Sequence, residues 1–65
     1  MNMREADEVA IKRLPVVHDG IEYQCITQTG YTYDENGKRH GFVQLLDKCD
    51  RSVTYADPAK VKVKE

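Results

Sequence analysis

Residues 21–48 read IEYQCITQTGYTYDENGKRHGFVQLLDK, and this stretch decides the fold. Ile21, Tyr23, Cys25, Thr27, Thr29, Tyr31 and Tyr33 fall on one parity. Glu22, Gln24, Gln28 and Thr32 fall on the other, with Ile26 the exception. A period of two in Thr, Tyr and Ile is the pattern of a half-buried strand. The run is long for one strand, so Gly30 is expected to mark a bulge or sharp bend. Asn36-Gly37 then supplies residues that tolerate positive φ at a tight turn, with Asp34 and Glu35 before it and Lys38 and Arg39 after it placed to pair across the hairpin. Two registers are open. A two-residue loop pairs Glu35 with Lys38 and sets Tyr31 opposite Phe42. A three-residue loop with a bulge at Gly37 sets Gly30 opposite Phe42, Ile26 opposite Leu46 and Cys25 opposite Asp47. The second is preferred because it covers a bare glycine with an aromatic ring. A slip of one residue would exchange the two faces.

Outward toward the N-terminus, Pro15-Val16-Val17-His18 is a short extended run closed by Asp19-Gly20, a strong hairpin signal. Before it, Met3, Ala6, Ala10 and Leu14 recur at roughly helical spacing. Asn2 followed by Glu5 fits a capping box, Asp7 and Glu8 sit early, and Lys12 and Arg13 sit late, as the helix dipole prefers. The pattern predicts a helix over residues 3–12 that Pro15 stops, with a thin, mostly alanine stripe that docks weakly or frays. The competing reading makes Val9 to Leu14 a first strand. Outward toward the C-terminus, Gly41 to Lys48 is the return strand, Asp47-Lys48-Cys49-Asp50 a turn and Arg51 to Tyr55 a further strand. Ala56-Asp57-Pro58-Ala59 reads as a 3₁₀ or β-turn. Lys60-Val61-Lys62-Val63-Lys64 closes the chain in strict alternation, with valines facing in and lysines out.

The expected fold is therefore mainly β: a small five-stranded barrel or strongly bent antiparallel sheet over residues 14–65, with residues 1–13 an N-terminal helix or flexible tail. Closure into a barrel would leave few free edges. Over residues 14–64 the order of elements resembles SH3-like barrels, in which a long bent second strand, a hairpin and a short 3₁₀ turn precede the last strand. Asp57-Pro58-Ala59 followed by Val61 and Val63 would be that ending. The acidic, tyrosine-rich motif and the Trp of peptide-binding SH3 domains are missing, so the resemblance does not imply a proline-rich ligand. The run from Tyr31 to His40 also resembles short uncharacterised proteins carried on mobile elements of low-GC Gram-positive bacteria. That resemblance implies a setting rather than a chemistry.

Composition narrows function by exclusion. Sixty-five residues make one small domain, and 40% are apolar. Charged residues make up 32%, yet Lys+Arg 10 against Asp+Glu 11 nearly cancel. That is too apolar and balanced for a disordered chain, and too balanced for nucleic-acid binding by bulk charge alone. The N-terminal stretch is charged and lacks the apolar centre of a signal peptide, and no apolar run is long enough to cross a membrane. The expected location is the cytoplasm, with Cys25 and Cys49 reduced rather than bridged.

His18, Cys25, His40 and Cys49 supply zinc-type donors. No two of them are closer than seven positions, unlike the paired spacing of structural sites, so neither a metal nor another cofactor is expected. There is no Gly-rich phosphate loop, HExxH or GxSxG, and the chain is small for a substrate pocket. The expected function is a non-enzymatic accessory or adaptor protein acting through protein contacts. Its candidate surface is Tyr31, Tyr33, Lys38, Arg39, His40 and Phe42. Nothing names the protein partner, and a homodimer anchored on Tyr31, Tyr33 and Phe42 is one form it could take. The alternative is single-stranded or duplex nucleic-acid binding through Lys38, Arg39, Lys60, Lys62 and Lys64, with aromatics beside bases of the hairpin for stacking. Asp34, Glu35, Asp47 and Asp50 nearby weigh against it.

Overall fold

The computed structural model describes residues 1–49 and 51–64 of the chain. Helix α1 spans Met3–Lys12. Asn2 caps it, its side-chain oxygen accepting from the Glu5 N–H at 2.8 Å. The helix ends because Arg13 turns left-handed (φ 54°): its N–H donates to Ala10 O and that of Leu14 to Val9 O, and Pro15 cannot resume the ladder. Strands β1 (Val16–His18) and β2 (Ile21–Tyr23) follow. Asp19 and Gly20 join them with φ of 56° and 76°, the doubly positive turn that an Asp-Gly pair permits.

The remaining elements are β3 (Cys25–Tyr33), β4 (Arg39–Leu46), β5 (Val53–Ala56), a 3₁₀ turn (Pro58–Lys60) and β6 (Val61–Val63). All pairings are antiparallel, and the strands form two three-stranded sheets, ordered β2-β1-β6 and β3-β4-β5. Helix α1 packs on β3. The core lies where helix and sheets meet: Ala6 and Val9 from α1, Val16 and Tyr23 from the first sheet, Ile26, Val43, Leu45 and Ala56 from the second, and Val61. The helix is thus part of the core rather than a fraying tail or a first strand. Its buried positions are Ala6 and Val9, with Met3, Ala10 and Leu14 half-buried. Val9, outside the stripe read from the sequence, supplies the branched side chain that the alanines lack.

Several expectations are corrected. The strands stand in two sheets and not in a single closed barrel. The long strand expected over residues 21–33 is divided at Gln24, whose N–H donates to Leu46 O at 2.8 Å. The irregularity within β3 lies between Ile26 and Gln28, not at Gly30. An extra residue there resets the alternation, so Ile26 (opposite Leu45) and Thr29 (opposite Val43) share a face. Ile26, the exception to parity in the sequence, is the mark of that bulge. Beyond it the three-residue loop holds, with Gly30 opposite Phe42 and Gly37 at φ 77°. Because of the bulge, Leu45 rather than Leu46 faces Ile26, and Leu46 rather than Asp47 faces Cys25. The return strand runs Arg39–Leu46, and β5 starts at Val53. Lys60 belongs to the 3₁₀ turn that Asp57 caps, and Val63, at the end of an edge strand, is 38% exposed while Val61 is fully buried. Asp50, assigned to the turn and to the acids near the hairpin, lies outside the described residues. No helix among the described residues is long and apolar enough to cross a membrane.

Candidate interaction surface

Strands β3 and β4 run past the core, and every residue from Tyr31 to His40 is exposed. A carboxylate organises the tip. Asp34 Oδ1 accepts from the N–H groups of Asn36 and Lys38, each at 2.9 Å. The Gly37 N–H donates to Asp34 O and the Asp34 N–H to Lys38 O. His40 Nε2 lies 3.1 Å from Asp34 Oδ2; a carboxylate only accepts, so that nitrogen carries the proton. The His40 bond above all, then the Lys38 and Asn36 N–H groups, hold the Asp34 carboxyl below its ordinary pKa.

Strand alternation divides the candidate residues between two faces. Tyr31 (opposite Gly41) and Tyr33 (opposite Arg39) lie on the face that carries Val43. There Arg39 Cζ stands 4.4 Å from the Tyr31 ring centroid, a cation–π contact between residues diagonal across the ladder. Gly41 lies beside it, where a Cβ would meet Met3 Sδ of α1 at 2.7 Å and push that side chain aside. His40 (opposite Thr32) and Phe42 (opposite Gly30) lie on the other face. The Phe42 ring covers Gly30, where a Cβ would come within 2.8 Å of it. Phe42 also meets the Tyr55 ring edge-on, with centroids 5.6 Å apart at 68°. Gln44 Nε2 donates to Tyr55 Oη at 3.1 Å, and Phe42, Thr32 and Tyr55 line a shallow hollow of about 450 Å³. Tyr55 was missed from the sequence, because only the pairing of Gln44 with Tyr55 across β4 and β5 brings it beside Phe42.

The basic candidates fall in two places. Lys38 and Arg39 sit at the hairpin of the second sheet, and Lys60, Lys62 and Lys64 at or near β6 of the first. Lys64 Nζ is 2.6 Å from Glu22 Oε1, and Lys48 Nζ is 2.7 Å from the same oxygen. Glu22 therefore ties β2 both to the chain end and to the turn after β4. These two partners, Lys48 foremost, lower its pKa. Asp47 organises that turn, accepting from Ser52 Oγ at 2.6 Å and from the Arg51 N–H at 3.0 Å. The Ser52 hydrogen bond is the chief cause of its lowered pKa.

Among the described residues no three His, Cys, Asp or Glu side chains converge as metal ligands would. His18 lies in β1 between Ile21 and Val61. Both thiols are free, with Cys25 buried and Cys49 exposed. Comparison with family models, curated proteins and solved structures gives no match to this chain.

The three lowered carboxyls predict an acid limb in stability. Each binds fewer protons in the folded than in the unfolded chain near its titration, so its contribution is fully present above the unfolded pKa. It is lost as pH falls through the lower folded value. Urea denaturation between about pH 7 and about pH 2 is expected to give a plateau that declines below roughly pH 4. Asp34→Asn and Glu22→Gln are each expected to make that decline shallower, and an unchanged limb in both variants would contradict the assignment.

Proposed function

We propose that this protein is a non-enzymatic accessory or adaptor module that binds another protein through the β3–β4 hairpin. The observation that carries this reading is the exposed face holding Tyr31, Tyr33 and Arg39, with the guanidinium stacked on Tyr31. Tyr and Arg are the residues that most often dominate binding energy at protein interfaces. The bidentate turn at Asp34 and the stacked Arg39 hold the side chains in place before any partner arrives, which lowers the ordering cost of association. The strand orders β2-β1-β6 and β3-β4-β5, with β2 leading into β3 through the bend at Gln24, support an SH3-like frame beneath the hairpin. The pairing of Lys64 with Glu22 and of His40 with Asp34 favours a protein over a nucleic acid as the ligand.

The test is capture of a partner from extract of the source cells, repeated with Tyr33→Ala and Arg39→Ala. Each variant is expected to stay folded, since both positions are exposed. Each is expected to lose about tenfold in affinity, the ordinary cost of truncating an interface anchor. Salt-sensitive binding of generic DNA or RNA oligonucleotides, weakened by Lys38→Gln and Arg39→Gln, would replace this reading with the nucleic-acid one.

A further inference from the structure

Strand edges offer unpaired backbone donors and acceptors, and folded proteins blunt them with charge, bulges or a covering element. The edges of this fold are managed unequally. Edge strand β2 carries Glu22, β6 carries Lys62, and β3 carries its bulge and lies against α1. Edge strand β5 reads Val53-Thr54-Tyr55-Ala56, with no charge, proline or bulge, and its first three residues are exposed. Val53 is 46% and Tyr55 63% exposed. Asp47 N donates to Ser52 O, and hydrogen-bonded and non-bonded pairs alternate along an antiparallel ladder. Thr54 therefore turns its N–H and C=O toward β4, and Val53 and Tyr55 turn theirs outward.

We propose that β5 pairs antiparallel with β5 of a second copy of this chain, about a two-fold axis through Thr54, joining two three-stranded sheets into one of six strands. The outward groups dictate that register. Val53 exchanges both backbone bonds with the partner's Tyr55, Tyr55 does so with the partner's Val53, and Thr54 faces the partner's Thr54. The same arrangement brings Arg51, in the turn before β5, toward the partner's Asp57, so opposite charges flank the uncharged centre at both ends of the ladder. A parallel alignment, or a slip by one residue, loses that match. Asp57 is extended at φ −76° and ψ 122°, which continues the line of β5 far enough to meet it. Val53 and Tyr55 lie on the face that carries Phe42, so pairing places each Tyr55 ring beside the partner's Val53 and covers both exposed side chains. The contact is isologous and closes at two copies. It uses none of Tyr31, Tyr33 or Arg39 and leaves the hairpin available, so it goes beyond the adaptor reading and is tested separately from it.

The experiment is sedimentation equilibrium from about 10 μM to about 1 mM, a range that brackets weak association, with amide hydrogen exchange on the same samples. The mass is expected to rise from 7.5 kDa toward twice that value. The Val53 and Tyr55 amides are expected to gain protection with concentration, while the Thr54 amide is protected throughout. Thr54→Lys and Thr54→Glu each oppose like charges at the axis and are expected to weaken association at least tenfold. Mixing the two variants is expected to restore a dimer holding one of each. Constant monomer mass, exchange at Val53 and Tyr55 that ignores concentration, or a dimer indifferent to both Thr54 variants would each overturn the proposal.

Discussion

Leu45→Ala is expected to lower the unfolding free energy by about 2–5 kcal/mol, the range for deleting a buried leucine. Leu45 is fully buried. It sits on β4, the central strand of its sheet, with Ile26 opposite on β3 and Thr54 on β5. Surrounding structure relaxes only partly into such a space, so lost transfer energy and a residual cavity add. A domain of this size is stable by only about 3–10 kcal/mol at ~0.05–0.15 kcal/mol per residue. The variant is therefore expected to lose at least about a fifth of its stability, and to be partly unfolded in buffer if the parent lies at the low end. Urea denaturation followed by circular dichroism reads this directly. Ile11→Ala is the control: Ile11 is 82% exposed on α1, and its loss is expected to stay within about 0.5 kcal/mol. A drop below about 1 kcal/mol for Leu45→Ala would contradict its place at the centre of the core.

Ala6→Leu is expected to destabilise by about 1–3 kcal/mol, the usual cost of forcing extra methylenes into a packed site. Ala6 is fully buried where α1 lies on β3. Leucine and alanine are both good helix formers, so the substitution leaves the helix's own preference nearly unchanged and reads docking alone. On an undocked tail the added side chain would be neutral. The measurement is the urea midpoint together with the Thr29 hydroxyl environment by NMR, because Thr29 Oγ1 donates to the Asp7 carboxylate of α1 and should lose that bond when the helix is displaced. An unchanged midpoint would mean that the helix does not pack as described.

How much of this was legible in the sequence depends on the range of the physics. The β texture after Pro15, the Asp19-Gly20 turn and the three-residue loop at Asn36-Gly37 could be read, because each rests on a residue's own φ preference or on a partner a few positions away. The candidate cluster was legible as a list of residues but not as an arrangement. Tyr31, Tyr33 and Arg39 separate from His40 and Phe42 because strand neighbours point to opposite faces. Which of them share a face with the core depends on the bulge after Ile26.

By itself the sequence determined the β texture after Pro15, the helical spacing and cap before it, the Asp-Gly and Asn-Gly turns, and a tight turn at Asp57-Pro58, while it left Val9 to Leu14 open between helix and strand and most strand ends unplaced. The features it determined are set by backbone dihedral preferences and hydrogen bonds closed within a few residues. Only the tertiary structure decided that the strands divide into two sheets, that Tyr55 meets Phe42, that Glu22 holds both Lys48 and Lys64, and that β5 is left as an uncharged edge. Each of these depends on groups distant in the chain being brought together by burial of Leu45, Val43, Val16 and Val61. Hydrophobic burial is non-directional, so composition and spacing state how much surface must be covered without saying which partner covers it.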